Sequence, residues 1–193
     1  MFIFRSFEKN FLYYKINKQP ESIKKRLDEL EEKFEENDID YFQLKVIKKK
    51  RVYPEIGDVF AVNPVEGVCF WGVVVNNHIN IAEGDDLLVV MIFDEKINIS
   101  NVGDFQPDFK NLLINPSIVG HEYWTRGFFY NIGKIDDIQF PTYGFYDGTD
   151  NMLFDEYGKR MWKRPALFGL NGVSTIIGIG FEIYCELIIR KYF

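Results

Sequence analysis

Acid–base, nucleophilic or metal chemistry would have to come from a short set of side chains in this sequence. There are two histidines, His78 and His121, and two cysteines, Cys69 and Cys185. His121-Glu122 and His78-Ile79-Asn80 match no zinc spacing, and no CxxC, HExxH or EF-hand loop occurs. Asp147-Gly148-Thr149-Asp150-Asn151 has the outline of a calcium loop, but it lacks the regular odd-position ligands and the bidentate glutamate, so a turn accounts for it better. Ser174 misses the second flanking glycine of a nucleophile elbow, and Gly178-Ile179-Gly180 misses the third glycine of a dinucleotide fingerprint. The adjacent carboxylates Asp85-Asp86, Asp136-Asp137 and Asp155-Glu156 would serve as acid and base only if burial pushed their pKa values apart, and neighbours along a loop ordinarily face water. No catalytic residue, metal set or cofactor is expected from these side chains. The cysteines lie among apolar neighbours and are expected as buried, reduced thiols.

What remains is charge and aromatic surface. The formal net charge is −6, and it is unevenly placed. Residues 1–54 carry 13 basic and 10 acidic side chains, residues 55–156 carry 4 against 17, and residues 157–193 carry 6 against 2. A segment balanced at −13 steers a cationic partner and raises its on-rate by ~10–1000-fold at low salt. Nucleic acid would need the opposite sign there. Ordinary solubility explains acidic loops equally well. The tryptophans Trp71, Trp124 and Trp162 each sit beside glycine or charge, which suits a binding anchor and also a core edge where the indole N–H finds a partner.

These residues must be positioned by a sheet. Ile56 to Val62 and Gly67 to Val75 read as consecutive antiparallel strands, with Val59 and Ala61 on one face and Phe60 and Val62 on the other. Asn63-Pro64-Val65-Glu66-Gly67 reads as the turn between them, and Gly72 as a bulge or close backbone approach. Leu87 to Phe93 is an apolar run long enough for a buried strand entered through Glu83-Gly84-Asp85-Asp86. Tyr41 to Ile47 alternates as a strand, Phe128 to Ile132 is another, Asp108 to Leu113 suggests a helical turn ended by Asn115-Pro116, and Pro141 to Gly144 a turn. Residues 2–16 are aromatic-rich and undecided between helix and strand. Pro20 opens a helix whose Ile23, Leu27, Leu30 and Phe34 form one stripe, expected to dock on the sheet. Lys48-Lys49-Lys50-Arg51 reads as a solvated connection. Residues 173–190 fit a helix loosely, with a strand as the open alternative. Glu182 and Glu186 there would each cost ~2.5–3.5 kcal/mol near mid-bilayer, which argues against a membrane span. The N-terminus has no apolar run of the secretory type.

The ordered set Ile56-Gly57-Asp58-Val59-Phe60-Ala61-Val62, Gly67, Trp71-Gly72-Val73-Val74, Leu88–Phe93, Tyr123-Trp124-Thr125-Arg126-Gly127-Phe128-Phe129-Tyr130-Asn131-Ile132-Gly133 and Pro141 resembles the immunity protein 26 family. Phe154-Asp155-Glu156-Tyr157-Gly158 and the Gly172-Val173-Ser174-Thr175 tail extend the likeness over roughly residues 50–190. Members of that family protect a toxin-producing bacterium by binding the toxin. The resemblance implies an α+β, predominantly β fold: a strongly bent antiparallel sheet or small partly open barrel with an N-terminal helix and a C-terminal helix or strand. Residues 1–50 would be a helical extension packing on the sheet and 51–193 the immunity-protein-like domain. It further implies a cytoplasmic, non-enzymatic protein that occludes a cognate toxin, a nuclease with a basic surface being one candidate, without nucleic acid or membrane as partners. The expected contributors are the acidic loop residues Asp85, Asp86, Asp94, Glu95, Asp104, Asp108, Asp136, Asp137, Asp147 and Asp150, with Trp71 and Trp124 as anchors. The alternative is a small-molecule- or peptide-binding β-barrel with an aromatic-lined pocket.

Overall fold

A computed structural model describes residues 12–36, 38–79, 87–100 and 104–192. Five strands, β1 (Asp58–Val65), β2 (Val68–Asn76), β3 (Leu87–Lys96), β4 (Leu112–Gly120) and β5 (Phe129–Lys134), form an antiparallel sheet in the order β4-β3-β2-β1-β5. Its two ends stay apart, so it is a bent open sheet and not a barrel. A second sheet, order β7-β6-β8, is made by β6 (Tyr143–Asp147), β7 (Met152–Phe154) and β8 (Leu167–Leu170). The helices are α1 (Leu12–Asn17), α2 (Glu21–Glu35), α3 (Ile39–Phe42), α4 (Glu122–Thr125) and α5 (Ile176–Ile189).

Alternation along β1 divides the core. Phe60 and Val62 join Phe70, Val74, Leu88, Val90, Ile92 and Phe129 on one face, which Ile176, Ile179, Ile183 and Leu187 of α5 cover. Val59 joins Trp71, Val73, Val89, Met91 and Phe93 on the other, covered by Phe145 and Leu167 of the second sheet and by loop residues such as Phe105, Phe109 and Ile138. Because both faces are covered, β3 buries six consecutive residues, Leu88–Phe93, and shows no polar alternation. Gly72 lies under the Phe60 ring: a Cβ there would sit 2.5 Å from Phe60 Cζ and 2.6 Å from the Met91 carbonyl oxygen.

The tail is a helix. Thr175 caps it, accepting a hydrogen bond from the Gly178 N–H at 3.0 Å. Gly180 is needed because a Cβ would run into the Phe42 carbonyl oxygen. Helix propensity favours Gly180→Ala by ~1 kcal/mol, yet the backbone clash should dominate. A net loss of ~1–3 kcal/mol is expected in urea unfolding, with an unchanged or raised midpoint contradicting the contact.

Five expectations change. β1 continues through Asn63-Pro64, with a bulge between Val62 and Val65, and only Glu66-Gly67 turns, Gly67 taking φ +76°. Tyr41 to Ile47 is no strand, because its N–H groups go to separate partners: Lys45 donates to the Asn63 carbonyl at 2.7 Å and Ile47 to that of Gly127 at 2.8 Å. The expected helical turn is confined to residues 108–111, where the Asn111 N–H donates to the Asp108 carbonyl at 2.8 Å, and from Leu112 on, through Asn115-Pro116, the chain is β4, an edge strand where proline is tolerated. The turn expected at Pro141–Gly144 already belongs to β6 from Tyr143 onward. The α2 stripe packs on Phe181, Tyr184, Cys185 and Ile188 of α5, reaching the sheet only at Val65. The reading of residues 2–11 falls outside the described residues.

Candidate functional site

Two loops over the second face place carboxylates outward by burying their neighbours. Phe105 packs on Trp71 at 5.0 Å between ring centroids, and Phe109 meets Phe93 at 5.7 Å and Phe140 at 5.9 Å. Ile135 and Ile138 join the same cluster. Asp104, Asp108, Asp136 and Asp137, which flank these anchors, are exposed. Asp137 holds φ +55°, a left-handed conformation that aspartate tolerates better than bulkier residues. The cations in this layer are Lys110 and Lys134, and Lys134 is committed to Glu55 at 2.6 Å.

The other acidic candidates are placed differently. Asp85 and Asp86 lie outside the described residues. Asp150 is exposed on the β6–β7 turn, while Asp147 organises that turn, accepting from the Thr149 N–H at 2.8 Å and from Asn171 Nδ2 at 2.8 Å. The Asn171 hydrogen bond holds the Asp147 carboxyl below its usual range. Glu95 is exposed and accepts from the Trp71 indole N–H at 2.9 Å.

Asp94 belongs to an internal polar chain and has no free carboxylate to offer. It pairs with Arg190 and accepts from the Tyr192 hydroxyl at 2.6 Å. Arg190 also donates to Glu186 at 3.1 Å and to the Leu112 carbonyl at 2.7 Å, and Glu186 pairs with Lys15. Burial beside Glu186 pushes the Glu182 carboxyl up to about 7. The Cys69 thiol is pushed up to about 11 by burial, which leaves it unreactive, and both cysteines are buried and free. Among the described residues no group of His, Cys, Asp and Glu is arranged to hold a metal ion, and no helix is long and apolar enough to cross a membrane.

The tryptophans divide between the core and the surface readings. Trp71 and Trp124 are each 1% exposed, so neither presents a surface. Trp124 lies edge-on to Phe60 and Phe129 and donates to Asn131 Oδ1 at 2.7 Å; Asn131 in turn donates to Asp58 at 3.0 Å. Trp162 is the exposed one, at 83%, with the Arg160 guanidinium 4.1 Å from its ring centroid. Its signal in the sequence is the run Lys159-Arg160-Met161-Trp162-Lys163-Arg164, where four cations leave the indole no apolar strand to join.

No curated protein and no solved structure matches this chain. The sequence model of the immunity protein 26 family matches residues 55–151, half of the chain and the part that forms the five-stranded sheet, its acidic loop layer and the start of the second sheet. On that match the chain belongs to the immunity protein 26 family.

Proposed function

We propose that this protein binds a cognate toxin domain inside the producing cell and blocks the toxin's substrate-binding face, with no chemistry of its own. Family membership carries the reading, and the loop layer with Asp104, Asp108, Asp136 and Asp137 exposed supports a contact surface. A toxin that acts on a polyanion must present cations to it, so a carboxylate-bearing plug competes for the same face. Rim charges of this kind act mainly on association rate and are screened beyond ~8–10 Å at physiological salt.

The test is a titration of the toxin domain encoded beside the gene, by calorimetry and stopped flow at low and high salt. The variant carrying Asp104→Asn, Asp108→Asn, Asp136→Asn and Asp137→Asn is expected to associate ~10–100-fold more slowly at low salt, with much of the difference lost at high salt. All four positions are exposed, so its unfolding midpoint should hold. Tight binding indifferent both to salt and to the four substitutions would sink the acidic plug.

A further inference from the structure

The second sheet carries a charged groove of the opposite sign. It encloses about 290 Å³ between the β6–β7 hairpin and residues 160–164. Met152, Leu153 and Met161 give it apolar lining. Arg160, Lys163 and Arg164 give it charge, and no carboxylate lines it. The returning segment is fixed against β7: Met161 donates its N–H to the Leu153 carbonyl at 2.7 Å, and Arg160 bridges Phe154. Among the described residues no carboxylate pairs with Arg160, Lys163 or Arg164. Their compensation is aromatic: Arg160 lies over Trp162 and Arg164 over Phe168, at 4.1 and 4.9 Å.

Cations without a carboxylate partner among the described residues, set around an exposed indole in a chain of net charge −6, are arranged for an anion with an apolar neighbour. We propose that this groove takes an acidic, apolar-flanked peptide segment of the toxin, as a second contact that rests on the reading of the acidic loops as the first. The second sheet and the acidic loops cover the same face of the main sheet, with β8 on the β4 side and Phe105 against Gly133 of β5, so one partner can span both. A free polyanion meets the field of the −13 segment with nothing to offset it, whereas a partner seated on the acidic loops by its cationic face offsets that cost and presents the segment at high effective concentration. Opposite charges at two points fix the partner's orientation, and they reject proteins that are merely basic. The groove lies mostly beyond residues 55–151, on structure outside the family match.

The experiment compares toxin binding by the full chain, by Trp162→Ala, and by the triple variant Arg160→Ser, Lys163→Ser, Arg164→Ser. Each substituted side chain is exposed, so thermal unfolding should be unchanged. Binding about thirtyfold weaker in Trp162→Ala, and at least about tenfold weaker in the triple variant, is the expected result. Equal affinity in all three would overturn the groove and leave the immunity reading intact. No binding of folded toxin by the unaltered chain would overturn both. If the unaltered chain instead binds a short oligothymidylate, or dimerises, and the triple variant loses that property while toxin affinity is unchanged, the groove serves nucleic acid or a second copy, and the proposal is wrong.

Discussion

Arg190→Met is expected to destabilise the protein by about 3–5 kcal/mol, because it strips the partner from two carboxylates that water barely reaches. The Asp94 and Glu186 side chains are 14% and 5% exposed, and Arg190 serves both while also donating to the Leu112 carbonyl. Tyr192 and Lys15 would each still hold one of the carboxylates, so a collapse to the unfolded state is not required. The chain of charges ties the end of α5 to the end of β3, the start of β4 and α1, and its loss should loosen all of these together. Urea unfolding checks the value. Adding Asp94→Asn and Glu186→Gln to the same protein should recover part of the loss, since it removes the stranded charges as well. A loss below ~1 kcal/mol would mean that the pairs behave as solvated surface pairs. The pH dependence has a defined sign. Glu182 titrates at about 7 when folded against an ordinary value of 4.5, so the native state binds its proton more tightly than the unfolded chain does. Glu182 therefore costs nothing below 4.5, and stability falls as pH rises from there through about 7. Glu182→Gln should flatten the curve in that window.

Trp71→Ala should cost a similar ~3–5 kcal/mol, the range for deleting a buried indole. Trp71 stacks on Phe93 at 4.2 Å and 25°, supports Phe105, and donates to Glu95. Truncation would leave a cavity under the loop that carries Asp104 and Asp108, so toxin association should slow as well, without Trp71 having touched the toxin. Trp71→Phe separates the effects. It keeps much of the ring packing, and the Glu95 carboxylate it abandons is exposed and can be hydrated. Association by Trp71→Phe close to that of the unaltered chain, beside slow association by Trp71→Ala, would identify support of the loop as its role. A Trp71→Ala protein as stable as the parent would contradict the burial of the indole. Trp162→Ala is the opposite case, expected to leave unfolding untouched.

The two residues also show what was readable in the chain. Local pattern located β1, β2, β3 and α2 because each has a period or an uninterrupted apolar run that one covered face or two must produce. It failed at Asn115-Pro116, since a breaker in a central strand is harmless at an edge, and edge position is decided by topology. It failed at Tyr41 to Ile47 because alternation reports sidedness, while a strand also needs a ladder with one partner. The composition of the middle segment marked the exposed carboxylates Asp104, Asp108, Asp136 and Asp137, but Asp94 reads the same as they do. Its arginine stands 96 positions away, and nothing near Asp94 in the sequence announces it. For Trp71 and Trp124 the flanking residues did not tell core from surface, whereas the four cations around Trp162 set it apart from both.

The position of α5 in the chain sets the order in which the molecule can be completed. It covers one face of the sheet and also receives the stripe of α2, so two apolar surfaces made earlier depend on an element synthesised after both. At ~5–20 residues per second, Ile23 and Leu27 leave the ribosome roughly 8–30 seconds before the residues they will pack against. In that interval β1, β2 and β3 can pair as hairpins with their neighbours, but Phe60, Val74 and Ile92 still face water. The nascent chain is therefore a natural client for a holding chaperone until Ile176–Ile189 emerges. A message cut short before that helix would yield a product with two bare hydrophobic surfaces, destined for proteolysis or aggregation.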